Sequence, residues 1–344
     1  MPVVAWIIRW GGFVALAGLV GGFVVDLLVL PGGTPEMAAT RRRLRGVRTG
    51  CTVVLLVTTV GEWWLRTITM SGAGPDAAIR AMPIVLTHTH FGTVWIGRAA
   101  ALLAILALSG ASRRGGLGLG ALAALGVALS VSLTGHASDW GDLSPTAGID
   151  WVHVAAATTW TGGLFVLVAV VVRDARHWPT TLLAEVMRRF SRLAGWCLLA
   201  VVLSGAYASW VQVARVTALW PTVYGRTLIV KVLLVLSLAW WGALNRYTVL
   251  PRLSAPGTPG ALARSFRRGR TVLIGSPDIV PQVAPSRLTA YLTREVLLAL
   301  VVFGCTAILT ESTPARHAHH LEPHPSMSEH TGHAIAGERS AVSR

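Results

Sequence analysis

Thr134 to Gly163 reads TGHASDWGDLSPTAGIDWVHVAAATTWTGG. It is a short acidic loop between two long apolar runs, carrying His136, Asp139, Asp142 and Asp150 and neither Lys nor Arg. His153 follows one turn inside the second run. A polar connection this short, flanked on both sides by apolar runs of membrane-crossing length, is the signature of two helices that leave and re-enter hydrocarbon. Carboxylates and imidazoles at the mouth of such a bundle are what a cation meets first, which points to a metal-handling membrane protein.

The rest of the chain agrees. Of its 344 residues, 53% are hydrophobic and 13% charged, with a mean hydropathy of +0.59; that balance belongs to a polytopic membrane protein. The formal net charge of +15 raises nucleic-acid binding, but the basic residues lie between apolar runs, where membrane topology accounts for them, and no nucleic-acid partner is expected. Cys51, Cys197 and Cys305 all fall inside apolar runs without close spacing, so neither a disulfide framework nor a thiolate metal site is indicated. The N-terminal apolar run continues to Leu30 with no small-residue cleavage site after it and is read as a transmembrane helix.

With about 20 apolar residues needed per crossing, eight runs qualify: roughly 6–30, 49–66, 84–109, 117–135, 150–172, 193–213, 225–247 and 292–311. The expected fold class is all-α. Arginine concentrates in 31–48 (Arg41, Arg42, Arg43, Arg45, Arg48), 110–117 (Arg113, Arg114), 173–192 and 246–294. Those segments are assigned to the cytoplasm, which leaves both termini extracytoplasmic. Trp6, Trp10, Trp63, Trp140, Trp151, Trp210 and Trp220 then fall near the outer interface, as an aromatic belt should.

The two halves echo each other. Arg42-Arg43 with Cys51 matches Arg188-Arg189 with Cys197 at the same spacing, Gly21-Gly22 matches Gly162-Gly163, and Gly61 matches Gly205. Most telling is THFGTVWIGR (Thr89 to Arg98) against TVYGRTLIVK (Thr222 to Lys231), which share Thr, an aromatic, Gly, Ile and a terminal cation in register. Four helices repeated keep one orientation, so the expected architecture is two parallel four-helix repeats about an axis along the membrane normal. The expected division is a first repeat at 1–135, an acidic outer loop at 136–149, a second repeat at 150–311 that includes a cytoplasmic loop at 249–290, and a tail at 312–344. The loop is rich in Pro, Gly and Arg and suits contact with anionic lipid. The tail holds His317, His319, His320, His324, His330 and His333 among polar residues and prolines. It cannot bury a core and is expected to be disordered without metal, a loose chelator of low selectivity.

On this topology His88, His90, His136 and His153 lie at or just inside the outer face, on neighbouring segments, where imidazoles could converge on a metal. Residues 88 and 90 on one continuous helix would point about 200° apart, so both reach one metal only if the helix starts later. Within the bilayer stand Glu62, Arg98, Lys231 and, near the inner edge, Asp26. A mid-helix charge costs roughly 2.5 to 3.5 kcal/mol, so each needs a partner. Arg98 and Lys231, the only lysine in the chain, are equivalent in the repeat, and Glu62 is the expected counter-ion and a further candidate ligand. No Ser/His/Asp order, nucleotide-binding loop or ATPase domain is present, and the chain is not read as an enzyme.

RFSRLAGWCLLAVVLSGAY (Arg189 to Tyr207), YGRTLIVKVLLVLSLAWWGALNRYTVLPRL (Tyr224 to Leu253), REVLLALVVFGCTAILTESTPA (Arg294 to Ala315) and HVAAATTWTGGL (His153 to Leu164) resemble the copper resistance D (CopD/PcoD) family of bacterial inner-membrane proteins. The resemblance covers about 150–315 closely and the first half more loosely. It implies an eight-helix, multi-pass protein of the bacterial cytoplasmic (inner) membrane linked to copper uptake or copper tolerance, with His153, Gly225, Arg226 and Lys231 as the positions that carry over. The His-rich tail is not part of the family's core pattern. Together these readings give copper ion transport, with uptake the favoured direction, in copper homeostasis or resistance. The tail gathers the ion, Asp139, Asp142 and Asp150 attract it, His88, His90, His136, His153 and Glu62 bind it, and Arg98 and Lys231 line or gate the passage. Copper as Cu(I) or Cu(II), membrane lipid, and a periplasmic or extracellular copper chaperone are the expected partners. Two alternatives stay open: a b-type cytochrome with haem held by His90 and His153, and a non-transporting factor that delivers copper to a partner or assists its assembly.

Overall fold

In hydrocarbon every backbone N–H and C=O must be satisfied within its own segment, so long apolar runs become helices. The computed structural model describes residues 2–32, 37–72, 75–110, 114–174, 178–213, 216–244, 246–247 and 285–312, and these contain helices and turns but no strand. The helices are α1 (Pro2–Val24), α2 (Met37–Ser71), α3 (Pro75–His88), α4 (His90–Ala107), α5 (Arg114–Ser132), α6 (Pro145–Val166), α7 (Thr180–Val213), α8 (Val223–Leu244) and α9 (Pro285–Glu311). All except the 14-residue α3 are long and apolar enough to cross a membrane, giving eight candidate spans. Their exposed faces carry Val53, Val57 and Val60 on α2, Leu199 and Leu203 on α7, and Leu233 and Leu236 on α8, as helices bathed in lipid should. The protein is an all-helical, multi-pass membrane protein.

Two arginine-rich stretches read as loops are helical. α2 begins at Met37 rather than near 49, and α7 at Thr180 rather than near 193. Hydropathy detects only the part of a helix that sits in hydrocarbon, whereas the 35 residues of α2 make a rod about 52 Å long at 1.5 Å per residue. Its polar end is bound to the ends of the two central helices. Asp26, in the π-helical turn Val25–Val29 that closes α1, accepts from Arg41 Nε (3.0 Å) and Arg48 Nη1 (2.8 Å). Asp174, one turn beyond the π-helical Leu167–Val171 that closes α6, accepts from Arg43 Nη1 (2.6 Å) and Thr40 Oγ1 (2.7 Å). Both carboxylates are buried, and both are satisfied.

α1 and α6 form the centre, with 72% and 61% of their apolar windows buried against 6% for α8. They touch at backbone distance: a Cβ on Gly162 would lie 1.8 Å from the Ala17 carbonyl oxygen, and one on Gly21 would lie 2.1 Å from the Gly162 carbonyl carbon. α1 packs on α2, α5 and α9, while α6 packs on α7, α9 and α5. α4 pairs with α5, and α8 with α9.

The run expected at 84–109 is broken. Thr89 is extended (φ −116°, ψ 148°) and caps α4, its hydroxyl accepting from Gly92 N at 3.0 Å. Thr222 accepts from Gly225 N at the same 3.0 Å at the start of α8. Each glycine lies against a carbonyl of the incoming chain, so that a Cβ would meet Leu86 O at 2.1 Å or Leu219 O at 2.3 Å. The Thr-x-aromatic-Gly pattern is therefore a cap plus a close backbone approach.

Gly162→Val is expected to cost at least about 3 kcal/mol, the upper end for overpacking. Gly97→Ala, with nothing within 4 Å of the added methyl, is expected to be neutral. Thermal unfolding in detergent, followed by tryptophan fluorescence, makes the comparison, and equal midpoints would remove the α1–α6 contact as a determinant of stability.

Candidate functional site

Arg98, at 6% exposure, donates four hydrogen bonds. Its Nε donates to Ser130 Oγ (2.7 Å), its Nη1 to Glu62 Oε2 (2.8 Å), and its Nη2 to Ser130 O (3.1 Å) and Thr134 Oγ1 (3.3 Å). Ser130 can accept because its own hydroxyl donates to Val127 O at 2.6 Å, and Thr134 likewise donates to Ser130 O at 2.9 Å. α2, α4 and α5 are thus joined through one guanidinium. Beside it, Arg9, Thr58, Thr59, Glu62, Arg98 and Thr134 line a small cavity of about 20 Å³, room for about one water. Glu62 Oε1 faces it near Gly12, and Arg9 reaches across to pair with Glu311 at the end of α9.

His153, on α6, is held differently. The Ser204 hydroxyl donates to Ala200 O at 2.5 Å, which leaves its oxygen to accept from His153 Nδ1–H at 3.0 Å. The Val201 carbonyl is a second hydrogen-bond partner of the ring. The ring lies against Gly205, whose added Cβ would stand 3.2 Å from Cε1. Lys231 on α8 acts electrostatically on His153, on Asp150 and on Cys305 of α9, so imidazole, ammonium, carboxylate and thiol share one neighbourhood.

The connection between α5 and α6 is short and structured. His136–Trp140 forms a 3₁₀ turn, Gly141 takes φ +99°, and Ser144 caps α6 by accepting from Ala147 N at 3.2 Å with Pro145 in the first turn. α6 therefore starts ahead of Asp150, which sits on the helix one turn before His153. His90 Nε2–H donates to Asp142 Oδ2 at 2.6 Å. That pair ties the first turn of α4 to the α5–α6 connection, with both side chains about half exposed. His88 ends α3 with its ring on Thr87 Oγ1 at 2.7 Å, and it is exposed. The break at Thr89 puts His88 and His90 on separate helices, the condition under which both rings could turn toward one ion. Asp139 has a partner of its own. The His136 side chain, His177 and the tail histidines lie outside the described residues. Among the described residues no three of His, Cys, Asp and Glu gather closely enough to hold a metal ion, and the three cysteines are free.

Sequence reasoning did not single out Ser130, Thr134 or Ser204. Each is a hydroxyl bonded to its own preceding turn and set opposite a charge or imidazole on the next helix, a placement that linear order does not mark.

Two family models cover most of the chain: copper resistance protein D-like, N-terminal domain, matches residues 1–144, and copper resistance protein D matches 184–309. The chain belongs to the copper resistance protein D family. The first match ends one residue before α6 and the second begins inside α7, so the Arg98 network lies wholly in the N-terminal family domain, and Lys231 and Ser204 lie in the C-terminal one. Copper transport protein CutJ of Bacillus subtilis (strain 168) is 26% identical over 272 residues, covering 76% of this chain and 49% of its own length. The chain therefore spans about half the length of this curated relative. No solved structure matches.

Removing Glu62 strands the Arg98 guanidinium. Glu62→Ala is expected to cost about 3–5 kcal/mol, most of it recovered in the double variant with Arg98→Met. Thermal melts of the three proteins in detergent test this, and an unchanged midpoint for the single variant would mean that the pair carries no stability.

Proposed function

We propose that the protein carries copper across the bacterial cytoplasmic membrane, in the direction of uptake, and serves copper homeostasis or resistance. The observation that carries this reading is membership of the copper resistance protein D family through both halves of the chain, together with the likeness to a copper transport protein. Transport rather than a chemical conversion is the activity proposed.

The eight spans are proposed to form two parallel four-helix repeats with both termini extracytoplasmic. In support, the Thr89 and Thr222 caps share one geometry, α1 and α6 have corresponding neighbours, and arginine is concentrated on one side of the proposed membrane. On that topology the His-rich tail collects the ion and Asp139, Asp142 and Asp150 draw it in. His88, His90, His136 and His153 bind it at the outer rim, with Glu62 as a further oxygen ligand. His153 is the best prepared of these, because Ser204 fixes its ring through Nδ1. The remaining ligands must be brought together by the ion or by movement at the Thr89 break and the α5–α6 connection. Arg98 and Lys231 set the charge along the path, and a periplasmic or extracellular copper chaperone is the proposed donor.

Copper content of cells expressing the chain is expected to exceed that of cells expressing the variant with alanine at positions 88, 90, 136 and 153. Equal content at equal protein levels would count heavily against the site. Ser204→Ala keeps His153 but frees its ring and is expected to weaken copper binding by about tenfold or more. Titration of the purified protein with copper measures that, and an unaltered affinity would detach Ser204 from the site.

A further inference from the structure

A second feature of the bundle involves none of the residues proposed to bind copper. Between α1, α2 and α6 runs a groove of about 450 Å³ with an almost wholly apolar lining, which includes Trp10, Gly18, Gly50, Cys51, Val54 and Phe165. Val54 and Gly50 are exposed, so the groove opens on the lipid-facing side. It exists because small residues cut it: nothing lies within 4 Å of a Cβ built on Gly50. At the matching register of the second half, one residue before Cys197 as Gly50 is one before Cys51, stands Trp196.

The groove has a charged foot. Val47 on α2 and Ala169 on the closing turn of α6 line its arginine-rich end. One turn beyond Val47 is Arg43, and about one turn beyond Ala169 are Arg173 and Asp174. The Arg43–Asp174 bond at 2.6 Å shows that these two ends meet. Arg43 spends one Nη on that bond, yet its side chain is 55% exposed, and Arg173 is exposed. Asp174 also holds Thr40. Two arginines against one carboxylate leave a net positive charge, with guanidinium N–H groups turned outward at the depth where headgroups lie.

We propose that this is a site for an anionic glycerophospholipid of the leaflet on the arginine-rich side. The phosphate sits on Arg43 and Arg173, and an acyl chain lies in the groove against Gly50, Cys51 and Val54. A basic pocket between transmembrane helices is the arrangement that selects anionic headgroups, and an apolar slot directly beneath it selects a lipid over a free phosphate. Because the walls are α1, α2 and α6, an occupant buttresses the close approach of α1 and α6 and stabilises the bundle.

The full chain, delipidated in mild detergent, is titrated with phosphatidylglycerol, with phosphatidylcholine of the same chains, and with glycerol phosphate. Bound lipid is counted by native mass spectrometry, and the melting midpoint is followed in parallel. The wild type is expected to retain phosphatidylglycerol in preference to phosphatidylcholine and to melt higher with it, while glycerol phosphate has no effect. Gly50→Leu fills open space, so it is expected to melt like the wild type without lipid and to lose both the bound lipid and the stabilisation. Arg173→Gln is expected to lower phosphatidylglycerol occupancy about fivefold, the equivalent of about 1 kcal/mol per basic residue at a membrane surface, and to leave phosphatidylcholine unaffected. Equal retention of the two lipids by the wild type and Gly50→Leu would reduce the groove to ordinary annular contact and overturn the proposal. Stabilisation by glycerol phosphate equal to that by phosphatidylglycerol would overturn the acyl-chain half of it, and Arg173→Gln keeps the headgroup half testable if Gly50→Leu does not fold.

Discussion

The approach of α1 to α6 at the Gly21 and Gly162 pair is the constraint on which the bundle is built. Lipid tails are as apolar as leucine, so transmembrane helices gain little by hiding greasy faces from one another and associate through close contact and polar links. Glycine removes the side chain that would keep the two backbones apart, and here the clearance is so small that no other residue fits at Gly162. Once α1 and α6 are clasped, α2 packs on α1, α7 packs on α6, and α5 and α9 each touch both. The aspartates near their ends, Asp26 and Asp174, then fall within reach of one helix, α2. The polar end of α2 acts as a strap across both central helices.

Buried charge is handled differently in the two halves. Arg98 presents its donors in a fixed fork and engages a carboxylate, two hydroxyls and a carbonyl at once. A group so fully committed holds three helices in place and has little freedom to respond to a passing ion. Lys231, at the matching position, carries a compact ammonium that interacts with His153, Asp150 and Cys305. The half with the lysine is also the half whose imidazole is held by a serine hydroxyl. Multiply bonded charge therefore concentrates near α2, α4 and α5, and a cluster of titratable groups without such a fork near α6 and α8.

Much of this was readable from residue order. Eight spans follow from run length, because an apolar stretch of twenty has no other stable place. Glu62 as a counter-ion follows from the cost of an unpaired charge in hydrocarbon, while its choice of Arg98 over Lys231 depends on how the helices pack. The helical extensions of α2 and α7 were not legible, since an arginine-rich helix outside hydrocarbon looks like a loop to any criterion based on hydropathy. The break at Thr89 was hidden inside a continuous apolar run, although the threonine and Gly92 that make it were in view as half of the repeated motif. Ser130, Thr134 and Ser204 escaped because a hydroxyl in a membrane helix usually bonds only to its own preceding turn; whether it also serves a neighbour depends on helix rotation, which a linear sequence does not encode. The pairing of His90 with Asp142 likewise depends on where the α5–α6 connection folds back.

The two threonine caps do more than begin α4 and α8. Gly92 and Gly225 each stand six residues before a cation, a rise of about 9 Å along an α-helix. Each glycine is pressed against the carbonyls of the incoming chain, so neither helix can slide or swivel at its start. The cap thus works as a ruler and a protractor for the charge below it. Inserting or deleting one residue between cap and cation would rotate Arg98 or Lys231 by about 100°, away from Ser130 in one half and from His153 in the other, while leaving hydropathy and helix content unchanged.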